Sequence, residues 1–348
     1  MKILKRLFLM VIIAVVFLGT AFFLIPRENM TFVVLDDGFT LYELSDDLVA
    51  MPLLKTDTTI VYEDGFAACF EYQDAGQWNW SLVTVEVSTG QKRCIENGQN
   101  GRYRIYDYNF HISDGKVYYP VHVVEDHQIV DTYVVEAKMD GSGGGIFQNL
   151  KINGFGRFQV GDGRLYYIEE ETALPVVYDM ETGVEEYLSE KRAALPYGSN
   201  YLDDGRFWYM TAEGDMEAYF RGENVDIEFF ITGISSKDGS IIEVPYDYSS
   251  AWDANYWIND GYLYTFRNWR REEYKVADLY RTNLRTMREE CIAEAVPGDV
   301  DFPAEITFGR KGLVISGSSL RIADYEWEDF IFYIPYDGSS VKEIIFAE

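Results

Sequence analysis

The chain has 348 residues, of which 47% are hydrophobic and 16% aromatic, and its formal net charge is −28. This hydrophobic content is too high for a disordered acidic tail, and the negative charge repels nucleic acid and anionic lipid headgroups, so nucleic-acid binding is not expected. The sequence predicts an anchor segment, residues 1–28, followed by one folded domain, residues 29–348, that is long enough for a sizeable core.

The first segment predicts a membrane anchor. Residues 7–25 form a run of nineteen residues without a charge, and a helix of that length spans about 28 Å, close to the thickness of a bilayer core. Lys2, Lys5 and Arg6 precede the run, so the positive-inside rule places the rest of the chain outside the cytoplasm. We therefore expect a single-pass protein of the cell membrane whose bulk is extracytoplasmic.

Secretion after signal cleavage is the alternative, since Gly19, Thr20 and Ala21 have the small side chains of a cleavage site. We favour the uncleaved anchor because cleavage there would expose the apolar residues 22–25. The apolar regions of signal peptides are also shorter, about 7 to 15 residues. A lipid-modified terminus is excluded because no cysteine follows the run before Cys69.

Paired turns recur along the rest of the sequence. Asp-Gly pairs lie at residues 64–65, 114–115, 162–163, 204–205 and 260–261, with residues 311–312 in the same role, at intervals of 42 to 56 residues. A second turn follows each pair, at residues 89–90, 140–141, 182–183, 238–239, 285–286 and 337–338. Asp-Gly between hydrophobic runs predicts a tight hairpin turn, because such turns need positive φ angles. Each repeat therefore contains two hairpins, that is, four strands.

Tandem four-stranded units predict an all-β chain folded as a β-propeller, and almost no stretch has helical periodicity. A string of separate β-sandwich modules is the alternative, but no linker rich in Pro, Gly or Ser separates the repeats. Six full repeats run from Thr59 to Phe346. Residues 31–54 add about three strands, which form a shortened seventh blade or close the ring. We favour seven blades, with six or eight as alternatives.

The repeat sequences also carry a family resemblance. DGKVYY, DGRLYY, DGRFWY and DGYLYT, with EAKMDGSGG and DLYRTNL later in their units, resemble the tyrosine-tryptophan-threonine-aspartate propellers of lipoprotein-receptor type. They are most similar to a membrane-anchored bacterial group labelled a domain of unknown function. The resemblance covers most of residues 59–346, although the Trp-Thr-Asp core is absent. It implies the fold and assigns no binding residue.

The cysteines are predicted to be free. Cys69 and Cys94 fall on the second and fourth strands of one blade, about 10 Å apart, which is beyond the roughly 7 Å that a disulfide tolerates. Cys291 lies four blades away along the sequence. We predict three free, mostly buried thiols.

No catalytic, cofactor or metal motif is recognisable. His111, His122 and His127 lie near Glu125 and Asp126, but their spacing fits no zinc signature, so we interpret them as packing or surface residues. Adjacent carboxylates such as those of residues 169–171 are interpreted as solvated surface groups, because acid-base chemistry also needs a shifted pKa. The sequence therefore predicts no cofactor and no metal.

Binding is predicted on the rim that carries the links between second and third strands, because these links vary in length. Aromatic and arginine side chains anchor interfaces. The candidate partner-binding residues of this rim are Trp78, Trp80, Tyr219, Arg221, Trp269, Arg270, Arg271 and Trp327. The alternative is that the arginines pair with acids of adjacent blades and the tryptophans cap the core between blades.

The sequence thus favours a membrane-tethered binding or scaffold module that engages a protein, peptide or envelope glycan through this rim. A propeller-based hydrolase or lyase acting on cell-envelope glycan or peptide is the alternative, with carboxylates or the histidine cluster lining the central funnel. A purely structural spacer is a third interpretation.

Overall fold

A computed structural model describes a large part of the domain. The described residues are 31–35, 40–45, 47–63, 65–72, 79–98, 103–105, 111–125, 128–147, 150, 152, 157–195, 198–246, 256–272, 274–297, 305–309, 311–321, 326–337 and 340–346. The predicted anchor, residues 7–25, and Trp78 lie outside them. Among the described residues, no helix has the length and hydropathy that crossing a bilayer requires.

The described elements are almost all strands. In chain order they begin with β1 (Thr31–Leu35), β2 (Thr40–Leu44), β3 (Val49–Lys55), β4 (Val61–Glu63), β5 (Phe66–Tyr72), β6 (Trp80–Glu86), β7 (Gln91–Gly98), β8 (Tyr103–Ile105), β9 (His111–Ser113), β10 (Lys116–Glu125), β11 (Gln128–Lys138), β12 (Gly144–Phe147), β13 (Phe158–Gly161), β14 (Arg164–Ile168), β15 (Pro175–Asp179) and β16 (Glu185–Tyr187). They continue with β17 (Tyr201–Asp203), β18 (Arg206–Glu213), α1 (Met216–Phe220), β19 (Glu228–Ser235), β20 (Ile241–Tyr246), β21 (Tyr256–Asn259), β22 (Tyr262–Arg271), β23 (Lys275–Asn283), β24 (Glu289–Pro297), β25 (Glu305–Phe308), β26 (Gly312–Arg321), β27 (Glu326–Pro335), β28 (Lys342–Glu343) and β29 (Ile345–Phe346).

Consecutive strands build the blades. Within the described residues, blade 1 is β4–β7, blade 2 is β8–β12, blade 3 is β13–β16, blade 4 is β17–β20, blade 5 is β21–β24 and blade 6 is β25–β28. The remaining sheet, here called the composite sheet, has the order β1-β2-β3-β29 and so joins both ends of the chain. The favoured count of seven blades is therefore corrected to six blades built from consecutive strands. The composite sheet is not such a blade, because β1–β3 take their fourth strand, β29, from the C-terminal end of the chain.

Most neighbouring sheets contact one another through their inner strands, whereas blades 5 and 6 meet through β23 and β26 and through β24 and β27. Contacts join β1 to β4, β4 to β9, β9 to β13, β13 to β17, β17 to β21, and β25 back to β1. The all-β prediction is therefore confirmed. The described sheets have four strands each, except blade 2, in which β8 and β9 both pair with β10.

The C-terminal strand pairs with two sheets. β28 pairs with β27, and two residues later β29 pairs in parallel with β3, Ile345 opposite Val49 and Phe346 opposite Ala50. The rest of the outer edge of β3 contains Pro52, and the pairing of β3 with β2 shifts register between Leu41 and Tyr42. This shift leaves Leu53 as a bulged residue.

The two rims of the molecule carry different connections. The Asp-Gly turns and the turns between third and fourth strands lie at one end of the blades, here called the turn rim. The connections between second and third strands lie at the other end, here called the loop rim. Its described residues are 45, 47–48, 79, 169–174, 214–227, 272 and 274. Asp114, Asp162, Asp204 and Asp260 have φ angles of 51°, 52°, 47° and 50°. These positive values confirm the predicted hairpin turns.

Aromatic side chains of the second strands fill the spaces between blades. Tyr166 of blade 3 stacks on Phe207 of blade 4 with 5.9 Å between ring centroids. Tyr119 of blade 2 meets the rings of Phe70 and Trp80 of blade 1 edge to face, at 5.5 and 5.7 Å. The aromatic stretch after each Asp-Gly pair therefore builds the core.

The three cysteines are free, as predicted, but only Cys69 is buried. Cys69 and Cys94 both oppose Val83, from the two strands that flank β6, so one strand separates them. Cys94 and Cys291 are exposed, because β7 and β24 are the outer strands of their blades. The predicted burial of most thiols is therefore wrong.

We expect two of the thiols to react rapidly in the folded protein and the third only after unfolding. Burial, together with the charge of Glu71, raises the pKa of the Cys69 thiol to about 11, so its reactive thiolate is scarce as well as inaccessible. Titration with an aromatic disulfide reagent at pH 8, without reductant, measures the number of reactive thiols in the folded protein and in denaturant. A total of one thiol in denaturant would reveal a disulfide and contradict the structure.

Candidate functional site

Trp80, a predicted rim residue, is part of the core. Its side chain is 5% exposed and contacts Phe70 and Tyr119 edge to face, each at 5.7 Å between ring centroids. The buried surface of Trp80 therefore stabilises the contact between blades 1 and 2, as the packing alternative expects.

The candidates of blade 5 are held by their own blade. Trp269 is half-buried, with its ring 5.9 Å from that of Phe266. Arg270 forms ion pairs of 2.8 Å with Glu272 and with Asp278. Both acids belong to blade 5 itself. Among the described residues, Arg270 therefore pairs within its own blade and not with acids of an adjacent blade, as the alternative had expected. Arg271 is exposed.

Two further candidates lie on α1, which forms part of the link in blade 4. Asp215 caps this helix by accepting a hydrogen bond of 3.0 Å from the backbone N–H of Ala218. Tyr219 packs against Phe229, with 5.9 Å between centroids, whereas Phe220 is 63% exposed. Arg221 is exposed and pairs with Glu223 at 2.7 Å.

The predicted candidates are thus spread over blades 1, 4, 5 and 6. Trp327 lies on β27 opposite Leu320, and Trp78 lies outside the described residues. Among the candidates, only Trp269, Arg270 and Arg271 are neighbours along the chain. A partner-binding role for the exposed Arg221 and Arg271 stays a prediction.

The histidines are separated from one another. His111 opposes Tyr118 on β10, and His122 lies four residues further along that strand, or about 13 Å. Burial lowers the pKa of His111 to about 4, so its ring is neutral at physiological pH. His122 is fully buried, with 2.9 Å between its Nδ1 and the Thr132 Oγ1. His127 lies outside the described residues, within which no group of three or more potential ligands gathers to hold a metal.

A cleft of about 610 Å³ opens on the turn rim between blades 4 and 5. It lies where the Asp-Gly turns of these two blades meet the second turn of blade 5. Its lining residues are Asp203, Asp204, Arg206, Trp208, Ile242, Asp260, Gly261, Asn283, Leu284, Arg285, Thr286 and Met287.

Three carboxylates form one side of this cleft. Asp203 accepts hydrogen bonds of 2.9 Å from the backbone N–H groups of Asp260 and Gly261, which ties the Asp-Gly turn of blade 5 to blade 4. Burial, reinforced by the negative charges of Asp204 and Asp260, raises the pKa of Asp203 despite these two donors. Asp204 and Asp260 are exposed, and no described residue pairs with either carboxylate.

The rest of the lining includes apolar side chains and an exposed cation. Met287, at a φ of 56°, is 48% exposed, and Arg285 beside it is also exposed. Arg206 is engaged, since it donates to the backbone oxygen and the hydroxyl of Ser240 at 2.6 and 2.8 Å. These two hydrogen bonds fix the guanidinium group to Ser240, although Arg206 opposes Asp203 across the hairpin.

Sequence reasoning missed this cleft because it placed binding on the rim whose links vary in length. One signal was present. Of the residues that precede the five Asp-Gly pairs, only Asp203 is an aspartate, and the others are Glu63, Ser113, Gly161 and Asn259. What the sequence does not contain is the distance between the turns of neighbouring blades.

No protein-family model matches the chain, and no curated protein matches it. Solved structures do. An oligogalacturonate lyase in complex with manganese is 10% identical with a TM-score of 0.54, and the match covers 86% of this chain and 84% of that one. The β-propeller domain of the Trilobed protease from Pyrococcus furiosus, which has an open velcro topology, is 11% identical with a TM-score of 0.54, covering 88% and 86%. The fold is a β-propeller.

A puromycin hydrolase mutant complexed with PGG is also similar, with 11% identity and a TM-score of 0.52 over 90% of this chain. The match covers 51% of that chain, so the propeller spans about half the length of the hydrolase. At these identities the likeness establishes the fold and transfers no active-site residue.

Proposed function

We propose that this protein is a membrane-tethered, extracytoplasmic binding module that takes a peptide segment of a partner protein into the turn-rim cleft. The observation that carries this proposal is the arrangement of Asp203, Asp204 and Asp260 on one side of a cleft, with two of the three carboxylates exposed and unpaired among the described residues. The uncharged run of residues 7–25 supports the tether.

The chemistry of the cleft favours a basic side chain. Burial and, to a smaller extent, the like charges of Asp204 and Asp260 raise the pKa of Asp203. An ammonium or guanidinium group placed between the carboxylates relieves this repulsion and forms charge-assisted hydrogen bonds. The apolar stem of a lysine or arginine can lie along Met287 and Ile242 while its charge meets the carboxylates. Such charge complementarity fixes the position of the peptide in the cleft and raises the association rate, in addition to any gain in affinity.

Replacing Asp204 and Asp260 together by asparagine is expected to weaken binding of a basic peptide about tenfold, equivalent to about 1.4 kcal/mol. Asparagine tolerates the positive φ angles of these positions, 47° and 50°, so the turns are retained. The probe is an array of short peptides, each with one lysine or arginine in a neutral background. Affinity is measured by fluorescence anisotropy with the full chain in detergent.

The matched control replaces Asp114 and Asp162 by asparagine. These residues occupy the same turn position in blades 2 and 3, with φ angles of 51° and 52°, but lie outside the cleft. Binding by the control should equal that of the unaltered protein, and added salt should weaken binding by both. Equal loss in the two double variants, or no preference for basic peptides, would count against the cleft.

A hydrolase or lyase acting on cell-envelope glycan or peptide is the second candidate. Its support is the fold shared with an oligogalacturonate lyase and with part of a puromycin hydrolase. Incubation of the full chain with envelope glycans and peptides, followed by mass spectrometry, discriminates the two proposals. Cleavage that survives in the Asp204 and Asp260 double variant would favour an enzyme whose site lies elsewhere.

A further inference from the structure

The direction of β1 fixes which rim receives the N-terminal segment. Thr31, the first residue of β1, opposes Leu44, the last residue of β2, whereas Leu35 opposes Thr40 beside the first turn. Leu44 is followed by residues 45–48, one of the loop-rim connections. The chain therefore enters the propeller at the loop rim and runs along β1 toward the turn rim.

The covalent chain limits how far this rim can lie from the predicted anchor. The uncharged run ends at residue 25 and β1 begins at residue 31. Six residue steps extend to at most about 21 Å. A second strand such as β5, with seven residues, adds about 23 Å before the turn rim is reached. The turn rim thus lies about 23 Å further from the anchor along the strand direction than the loop rim does.

We infer that the loop rim faces the membrane and that the turn-rim cleft faces away from it. This inference rests on the tether of the proposed function and deepens it, because it states from which side a partner arrives. A protein that uses the cleft approaches from the extracytoplasmic space, whereas the point at which the chain enters the loop rim, Thr31, lies at most about 21 Å from the end of the anchor.

The side chains of the loop rim suit proximity to lipid without adhesion. Phe220 on α1 and Val130 on β11 are 63% and 54% exposed near this rim. Acidic neighbours such as Glu217, Glu223 and Asp131 are also exposed and disfavour contact with anionic headgroups. Arg221 and Arg271 are exposed cations of the same rim, so the charges of this rim are mixed and the inferred orientation rests on the tether.

Energy transfer to the bilayer measures the orientation. The exposed thiols are removed by Cys94→Ser and Cys291→Ser, and buried Cys69 is kept. A single cysteine is then placed at Phe220→Cys on the loop rim or at Val184→Cys on the turn rim, two positions with exposures of 63% and 51%. The full chain is labelled with a donor dye in phosphatidylcholine vesicles whose headgroups carry the acceptor.

We expect the donor at residue 220 to show at least twice the transfer efficiency of the donor at residue 184. Equal or reversed efficiencies in vesicles that carry the protein through a flotation gradient would overturn the orientation while leaving the tether intact. Failure of the full chain to float with the vesicles would overturn the tether and the orientation together. Neither result bears on peptide binding by the cleft, which the asparagine variants test separately. Circular dichroism of each labelled variant confirms that the β structure is retained.

Discussion

Replacing Gly233 by alanine is expected to lower the free energy of unfolding by about 2 to 3 kcal/mol, near the upper end of the usual cost of overpacking. Gly233 lies on β19 directly opposite Trp208 on β18. A β-carbon at this position would lie 2.5 to 2.6 Å from three atoms of the indole ring. Trp208 is 2% exposed and packs in one cluster with buried side chains that include Met210 and Ile231, so a shift of the ring disrupts these contacts.

Urea denaturation followed by tryptophan fluorescence measures the effect, and Gly145→Ala is the matched control. Gly145 also lies in a strand, β12, but the nearest atom to its added β-carbon is Phe147 Cζ at an ordinary 3.7 Å. The control should be neutral or slightly stabilising, since alanine restricts the unfolded chain. Adding Trp208→Phe to Gly233→Ala should cost less than the sum of the two single changes. An unchanged midpoint for Gly233→Ala would contradict the packing described here.

The second large effect is expected for Asp278→Ala, with a loss of about 2 to 3 kcal/mol of unfolding free energy, as for hydrogen bonds to a charged group. The buried Asp278 carboxylate accepts hydrogen bonds from the side chain of Asn268 at 3.0 Å, the backbone N–H of Ala295 at 3.0 Å and Arg270 at 2.8 Å. Asn268 and Ala295 have φ angles of 56° and 54°, at positions where the blade 5 strands shift register. The carboxylate therefore holds two irregular segments together.

The effect of Asp278→Ala should depend on pH. Although burial acts to raise it, the hydrogen bonds from Asn268, Ala295 and Arg270 lower the pKa of Asp278 overall. A carboxyl group with a folded pKa below its unfolded value, about 3.9, stabilises fully above that value and loses its contribution as pH falls through the folded pKa. The stability difference between the two proteins should be constant from pH 6 to 8 and shrink below about pH 4.

Glu294→Ala serves as the control for Asp278→Ala. Glu294 lies on β24 beside Ala295 but is exposed, and a surface substitution of this kind changes stability by at most about 0.5 kcal/mol. Urea midpoints at pH 7, 5 and 3 measure both variants. Equal behaviour of the two variants at pH 7 would show that the carboxylate of Asp278 does not stabilise the bulged segments.

The repeating part of the fold follows from local sequence. An Asp-Gly pair sets a tight turn, and the aromatic residues after it find partners in the next blade, as Tyr166 and Phe207 show. The composite sheet does not follow in this way, because the pairing of Phe346 with Ala50 joins residues almost 300 positions apart. Two-residue strands carry no periodicity, and the five-residue helix α1 is likewise too short for its period to be read.

The candidate site was less predictable than the fold. A tryptophan in a link suggests a binding surface, yet Trp80 turns into the core, and sequence does not reveal which face of a strand a residue near its end occupies. Arg270 forms an ion pair with Asp278 across a bulge in its own blade, so its charge already has a partner within the protein. The cleft itself depends on how the turns around Asp204 and Asp260 approach each other. That geometry arises only after the blades pack.

The pairing of β29 with β3 also constrains the order of assembly during synthesis. Each of the six blades has all its strands soon after it leaves the ribosome, but the outer edge of β3 lacks its partner until Ile345 and Phe346 have been made. An open strand edge is a template for aggregation, and proline and bulges are devices that block such pairing. Pro52 and the bulge at Leu53 lie on this edge. They therefore disfavour pairing with other chains until β29 has been synthesised.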